Sequence, residues 1–166
     1  MKPIIQHTKD GSHTLYLSDM QETYHSHHGA ITESMHVFIE NGYFFSDENP
    51  IKILEVGFGT GLNAWLTAME AEKLKKYTYY HSYELYPLNE IVNTLNYPEK
   101  YSEITNFQST GIAELFNKVH LAGWNIPEKI SKYFTIEKTQ KDITKEMFEP
   151  KYHLIYFDAF APQKQP

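Results

Sequence analysis

Three glycines at alternate positions behind a carboxylate are the residues of this sequence whose types and spacing most clearly suggest chemistry. They lie in the stretch Glu55-Val56-Gly57-Phe58-Gly59-Thr60-Gly61. Glycines in such a turn let the backbone approach a nucleoside ligand closely and let the next helix begin against the preceding strand. The dinucleotide pattern needs a small residue where Leu62 stands, and no Gly-Lys-Ser/Thr follows to form a phosphate-binding loop. A pyrophosphate ligand is therefore disfavoured.

Four carboxylates follow or end predicted strands, where a parallel sheet binds its ligands: Glu55, Glu84, Asp142 and Asp158. A carboxylate at Glu55 would repel a pyrophosphate but would attract an ammonium group. S-adenosylmethionine has an ammonium and a sulfonium but no phosphate; its ribose hydroxyls suit Glu84 and its adenine amino group suits Asp142. We therefore predict a methyltransferase that uses S-adenosylmethionine. An NAD-type enzyme and a structural α/β domain remain open alternatives.

Asp158 is the candidate for handling the methyl acceptor. Methyl transfer to an amine is an in-line displacement, so a neutral amine must be held near the sulfonium methyl group. Because an alkylamine is largely protonated at neutral pH, a nearby group must accept its proton or select the neutral form. Asp158 is predicted to orient that amine, and capping of a turn is its structural alternative. Phe160 is expected to line the pocket, to stack on a base or to pack in the core.

Histidines 25, 27 and 28 raise the question of a metal site. They cannot readily all face one ion from a strand or helix, and the spacing fixes no carboxylate ligand beside them, so we predict no metal. A position near the substrate is expected instead for Tyr24, His25, His28 and Glu33. The alternative is a structural lid held together by hydrogen bonds.

Alternating strands and helices are predicted to position these residues. The runs 51–56, 77–84, 134–139 and 152–157 have the composition of strands. Apolar residues at helical spacing predict four helices: at 62–69, from Pro87 to Leu95, at 112–119, and a short one around 144–148. The polar, proline-containing stretches 45–50, 97–109 and 123–132 are predicted to be loops.

This order of elements predicts an α/β fold with a parallel, doubly wound, Rossmann-like sheet in a single domain over residues 1–166. Residues 50–166 would form the cofactor-binding core. Residues 1–49, with a short strand at 15–17 and a helix that ends at Asn41-Gly42, would cover the ligand edge of the sheet.

Composition limits the other possibilities. The chain has no cysteine and a net charge of −6, and it has no apolar run of the roughly 20 residues that cross a bilayer. We expect a cytoplasmic protein without a membrane partner. A nucleic acid would have to meet a local basic patch rather than the field of the whole domain.

Several motifs together resemble the MnmD/MnmC methyltransferase family. They are Tyr24-His25-Ser26-x-His28-Gly29-Ala30 with Glu33-Ser34 and His36-Val37-Phe38, then Glu55 to Asn63, then Tyr83-Glu84-x-x-Pro87-Leu88, and finally Phe157-Asp158-Ala159-Phe160-Ala161-Pro162-x-Lys164-x-Pro166. The match runs from about residue 15 to the last residue. Its glycine and D-A-F-A-P segments distinguish it from other methyltransferases, and Asn63 joins the expected cofactor-binding residues through this motif.

The resemblance implies methyl transfer from S-adenosylmethionine to the exocyclic amine of 5-aminomethyl-uridine at position 34 of tRNA, without a metal. Family members continue beyond the position of Pro166 with strands that complete the sheet, so we expect a truncated chain. The flavin-dependent oxidase domain of bifunctional members has no counterpart here, which indicates a stand-alone methyltransferase. The alternatives are an aminopropyltransferase of the spermidine-synthase type and a non-catalytic nucleoside-binding fragment.

Overall fold

The computed structural model describes residues 3–88, 90–147 and 151–160. Its N-terminal part begins with a small antiparallel sheet. Its strands β1 (Ile4–His7), β2 (His13–Leu17) and β3 (Glu22–Thr23) lie in the order β1-β2-β3, which confirms the strand predicted at 15–17. A helical segment follows, with α1 (Ala30–Ser34) continuing into a π-helical turn (Met35–Glu40) and then a 3₁₀ turn (Tyr43–Phe45). The side chains of Ile31 and Ile39 are fully buried, which explains their helical spacing.

The main sheet contains β4 (Ile51–Val56), β5 (Thr78–Glu84), β6 (Pro127–Lys129), β7 (Phe134–Gln140) and β8 (Leu154–Phe157). Their order is β6-β7-β5-β4-β8, with β6 antiparallel to β7 and the other pairs parallel. From β4 the chain proceeds to β5 and β7 on one side and then returns to β8 on the other. The junction of β4 and β8 is therefore a topological switch point, where α/β sheets bind ligands.

Three helices, α2 (Leu62–Leu74), α3 (Tyr97–Thr105) and α4 (Gly111–Leu121), accompany this sheet. The indole of Trp65 is fully buried and packs edge-on against the rings of Tyr101 and Phe116, at centroid distances of 5.4 and 5.5 Å. These contacts join α2 to α3 and α4. None of the helices in the described ranges is long and apolar enough to span a bilayer.

Four element predictions were wrong. The described residues between Pro87 and Leu95 form a 3₁₀ turn (Glu90–Thr94) rather than the predicted α-helix. The helix α3 lies within the stretch 97–109, which was predicted to be a loop. Pro98 occupies one of the first helical positions of α3, where a missing N–H is tolerated. The loop predicted at 123–132 contains β6, whose three residues are all exposed. The helix expected around 144–148 is a 3₁₀ turn (Ile143–Lys145), and Phe148 lies outside the described residues.

Candidate active site

The glycine turn connects β4 to α2 through backbone conformations that favour glycine. The φ angles of Gly57, Gly59 and Gly61 are 92°, 51° and 73°. A Cβ atom on Gly57 would lie 3.0 Å from the carbonyl oxygen of Asp158, so β8 and the turn approach each other too closely for a larger residue. Gly61 caps the N-terminus of α2 in the left-handed conformation. The spacing of the three glycines thus reflects the path of the backbone.

Thr60, inside this turn, is bonded to three other parts of the chain. Its Oγ1 lies 2.9 Å from Nε2 of His25 and accepts a hydrogen bond from the hydroxyl of Tyr97 at 3.2 Å. Its carbonyl oxygen lies 2.9 Å from Nε2 of His120 in α4. Burial lowers the pKa of His25 to about 4, so this imidazole is neutral at physiological pH.

Asp158 directly follows β8 and faces α2 across the switch point. Its backbone N–H donates to the carbonyl of Val56 at 3.0 Å, and its Oδ2 accepts from Nδ2 of Asn63 at 2.8 Å. Burial raises the pKa of Asp158 to about 7, with a smaller contribution from the negative charge of Glu33, while the Asn63 hydrogen bond opposes the rise. A carboxylate with this pKa can exchange a proton near neutral pH.

The carboxyl group of Glu55 lies behind the cleft wall and has no exposed surface. Its Oε2 accepts a hydrogen bond of 2.6 Å from Ser82, the residue opposite it on β5. Burial raises the pKa of Glu55 to about 8. The Glu55 side chain therefore does not reach the cleft surface, where the predicted contact with a cofactor ammonium group would need it.

Glu84 and Asp142 do line the cleft at the ends of β5 and β7, as the strand-end rule predicts. Oε2 of Glu84 accepts from the backbone N–H of Gly59 at 3.0 Å, which joins the end of β5 to the glycine turn. Asp142 accepts from the N–H and hydroxyl of Thr144, and these hydrogen bonds lower its pKa.

The cleft has a volume of about 730 Å³, within the range of pockets that hold drug-sized molecules. Tyr24 and Phe160 form part of its wall, with their rings edge-to-face at a centroid distance of 5.0 Å. His25 also contributes to the lining. The remaining motif residues Ala161, Pro162, Lys164 and Pro166 lie outside the described residues.

Two predicted substrate residues lie away from the cleft lining. His28 is exposed, and its Nδ1 lies 3.4 Å from Nζ of Lys9. Glu33 is exposed and accepts a hydrogen bond of 2.9 Å from the N–H of Ser26, although its charge still acts on Asp158. Within the described ranges, no group of three or more histidine, cysteine or acidic side chains is arranged to hold a metal ion.

Sequence reasoning missed the hydrogen-bonding roles of Thr60 and of its partners Tyr97 and His120. The only available signal for Thr60 was its position between two glycines. The pairing of Asn63 with Asp158 was also missed, because these residues are far apart in the chain and meet only through the sheet order.

Comparisons with known proteins place this geometry in context. No protein-family model matches the chain. The uncharacterized protein MJ0670 of Methanocaldococcus jannaschii is 27% identical over 164 residues, which are 98% of this chain and 43% of that protein. The crystal structure of MnmC2 from Aquifex aeolicus matches with a TM-score of 0.73 and 26% identity, covering 99% of this chain and 52% of that one. The chain thus spans about half the length of these proteins or less.

The fold that the sequence predicts is confirmed by both the mostly parallel central sheet and this structural match. The similarity to MnmC2 over 99% of the chain confirms the resemblance to the MnmD/MnmC family, and with it a Rossmann-like methyltransferase fold.

Proposed function

We propose that the protein transfers a methyl group from S-adenosylmethionine to the aminomethyl nitrogen of 5-aminomethyl-uridine at wobble position 34 of tRNA. The observation that carries this proposal is the position of Asp158. This carboxylate lies at the switch point of a methyltransferase fold, against the glycine turn, in a cleft whose wall includes the rings of Tyr24 and Phe160. Its pKa of about 7 suits the acceptance of a proton from an amine near neutral pH.

The residues at the carboxyl edge of the sheet fit S-adenosylmethionine. Gly57 and Gly59 line the cleft and have no side chain there, so a ligand can approach the backbone of the turn closely. Glu84 would accept hydrogen bonds from ribose hydroxyls, and Asp142 would accept from the adenine amino group. Bound there, the cofactor supplies an electrophilic methyl group.

The acceptor side of the cleft is suited to an aminomethyl base. Asp158 would accept a hydrogen bond from the amine, orient its lone pair and take up its proton. Tyr24 and Phe160, which pack against each other, would form one aromatic wall beside the uracil ring, since aromatic side chains stack on bases and exclude water. His25 is neutral and held by Thr60, so it would add no positive charge beside the amine.

The direct test is incubation of the protein with methyl-labelled S-adenosylmethionine and tRNA that carries 5-aminomethyl-uridine. We expect label in the wobble nucleoside, detected after nuclease digestion. Asp158→Ala should reduce the rate by about 100-fold or more, the range for loss of a general base. The control Asp19→Ala removes an exposed acid outside the cleft lining and should leave the rate unchanged.

Other outcomes would contradict the proposal. Transfer of label to a polyamine, or transfer of an aminopropyl group, would indicate a different transferase. Cofactor binding without any transfer to RNA would indicate a nucleoside-binding fragment. An unchanged rate in Asp158→Ala would remove the role assigned to that residue.

A further inference from the structure

Three buried polar atoms that make no hydrogen bond belong to Glu55 and to two residues that act on its pKa. They are Oε1 of Glu55, Oδ1 of Asn63 and the hydroxyl oxygen of Tyr80, and no other buried side-chain atom of the described residues lacks a partner. Asn63 and Tyr80 are close enough to Glu55 to influence its pKa, although neither forms a hydrogen bond of normal geometry with it. Buried polar groups without partners are costly, so this grouping requires an explanation.

A proton on Glu55 would give most of these buried atoms a hydrogen-bond partner. An ionised Glu55 and the amide oxygen of Asn63 are both acceptors, and neither can satisfy the other. A neutral Glu55 has a hydroxyl group at Oε1, which can donate to Asn63 and accept from the hydroxyl of Tyr80. Ser82 already donates to the other oxygen at 2.6 Å, which is compatible with a neutral acid.

We propose that Glu55 is an uncharged positioning residue, which donates a hydrogen bond from Oε1 to Oδ1 of Asn63 and thereby fixes the amide that donates to Asp158. The orientation of Asn63 matters because its Nδ2 is the donor to Asp158, at 2.8 Å. An ionised Glu55 would compete for that N–H group and would draw it away. The inference rests on the proposed function only for the importance it gives to Asp158.

Burial, with a smaller contribution from the charge of Asp158, favours the neutral form of Glu55 and outweighs the donor groups of Ser82, Tyr80 and Asn63, which lower its pKa. The ionisable groups that act on it or on which it acts are Tyr80 on β5, Tyr156 on β8 and Asp158 after β8. None is a cation, and Asp158 is partly exposed whereas Glu55 is fully buried. Of two neighbouring carboxyl groups, the more deeply buried one retains its proton at the higher pH.

The test is a carbon-13 NMR titration of the carboxyl groups of Glu55 and Asp158 in the protein without substrate, with signals assigned by substitution. We expect Glu55 to give the signal of a protonated carboxyl group at pH 7. Glu55→Gln should leave the midpoint of Asp158 within about 0.3 pH units, because the Gln amide can donate to Asn63 as the acid does. Glu55→Ala should raise that midpoint by roughly half to one unit, since Asn63 loses its anchor.

The matched control is Glu70→Gln, which alters another buried acid of the core, one that is paired with Lys73. It should not move the midpoint of Asp158. The inference is overturned if Glu55 is ionised at pH 7, or if both Glu55 variants lower the midpoint of Asp158, as removal of a negative charge would. This titration needs no tRNA, so failure of methylation with a neutral Glu55 would contradict the proposed function alone.

Discussion

At the scale of single residues, the candidate site depends on the carboxylate of Asp158, whose pKa is set by two opposing effects. Burial raises the pKa of Asp158, and the Asn63 hydrogen bond limits the rise, so that the group titrates at about pH 7. A fully exposed aspartate would be a weaker base, and an aspartate without the Asn63 donor would remain protonated at neutral pH.

The pH dependence of methyl transfer should report this carboxylate. The pKa is raised, so the basic form is present above pH 7 and is lost below it. We expect the single-turnover rate to fall about tenfold per pH unit below 7 and to level off above it. Asn63→Ala should move the midpoint to higher pH, and a midpoint near pH 4 in the unsubstituted protein would show that the pKa of Asp158 is not raised.

The glycine turn gives a second prediction at this scale. Gly57→Ala would force a side chain into a positive φ angle and to within 3.0 Å of the carbonyl oxygen of Asp158. We expect affinity for S-adenosylmethionine, measured by calorimetry, to fall at least tenfold. Gly111→Ala in α4 is the matched control, since its nearest neighbour would be at 3.5 Å and its φ angle is ordinary, and it should bind normally.

The position of a site residue could be predicted from the sequence where the residue directly follows or ends a strand. Glu84, Asp142 and Asp158 all lie on the cleft because parallel strands end at one edge. Glu55 is different, since it is the penultimate residue of β4 and its side chain points into the packed face of the sheet. The bounds of this strand were predicted as 51–56 and agree with β4, so what the pattern left open was the face to which the Glu55 side chain points.

At the scale of elements, one carboxylate takes part in attaching the N-terminal hairpin to α1, beside the hydroxyl groups of Thr8 and Ser12. Asp10 accepts hydrogen bonds from Thr8, from the N–H and hydroxyl of Ser12, and from the N–H and hydroxyl of Thr32 in the first turn of α1. Despite partial burial, these hydrogen bonds lower the pKa of Asp10 to about 2. The hairpin and α1 therefore depend on its negative charge.

Removal of this carboxylate should destabilise the fold in a pH-dependent way. The folded-state pKa lies below the ordinary value of 3.8, so the stabilisation is complete above about pH 4 and is lost as the pH falls towards 2. Asp10→Ala should lower the free energy of unfolding by about 1–2 kcal/mol at pH 7, a value discounted for partial exposure. Urea denaturation at pH 7 and pH 2.5 would test this, because the difference from the unsubstituted protein should shrink at the lower pH.

Sequence patterns predicted well the elements that are buried either on both faces or on one face only. The strand at 51–56 is a nearly continuous apolar run between two strands, and α4 has its apolar residues on one face. The helix α3 was missed because its sequence is polar and contains Pro98, and only the packing of Tyr97 and Tyr101 makes it stable. Tertiary contacts of this kind leave little trace in a local pattern.

At the scale of the whole molecule, ligand binding should be measurable as stability. Occupation of the cleft at 100 times the dissociation constant adds about 2.7 kcal/mol to the free energy of unfolding. For a chain of 166 residues this corresponds to a rise in Tm of roughly 5–10 °C. S-adenosylmethionine should produce this shift in a thermal melt, whereas NAD, whose pyrophosphate would face acidic strand ends, should not. A rise in Tm with NAD but not with S-adenosylmethionine would contradict the proposed cofactor.

The bonds made by Thr60 mean that the glycine turn is coupled to three other parts of the chain. It is tied to the segment before Ile51 through His25, to α3 through Tyr97 and to α4 through His120. Opening of any one of these neighbours would remove one of the three bonds that hold the turn, and tightening of the turn would restrain all three neighbours. Amide hydrogen exchange in these distant parts of the chain should therefore slow in concert when the small molecule binds.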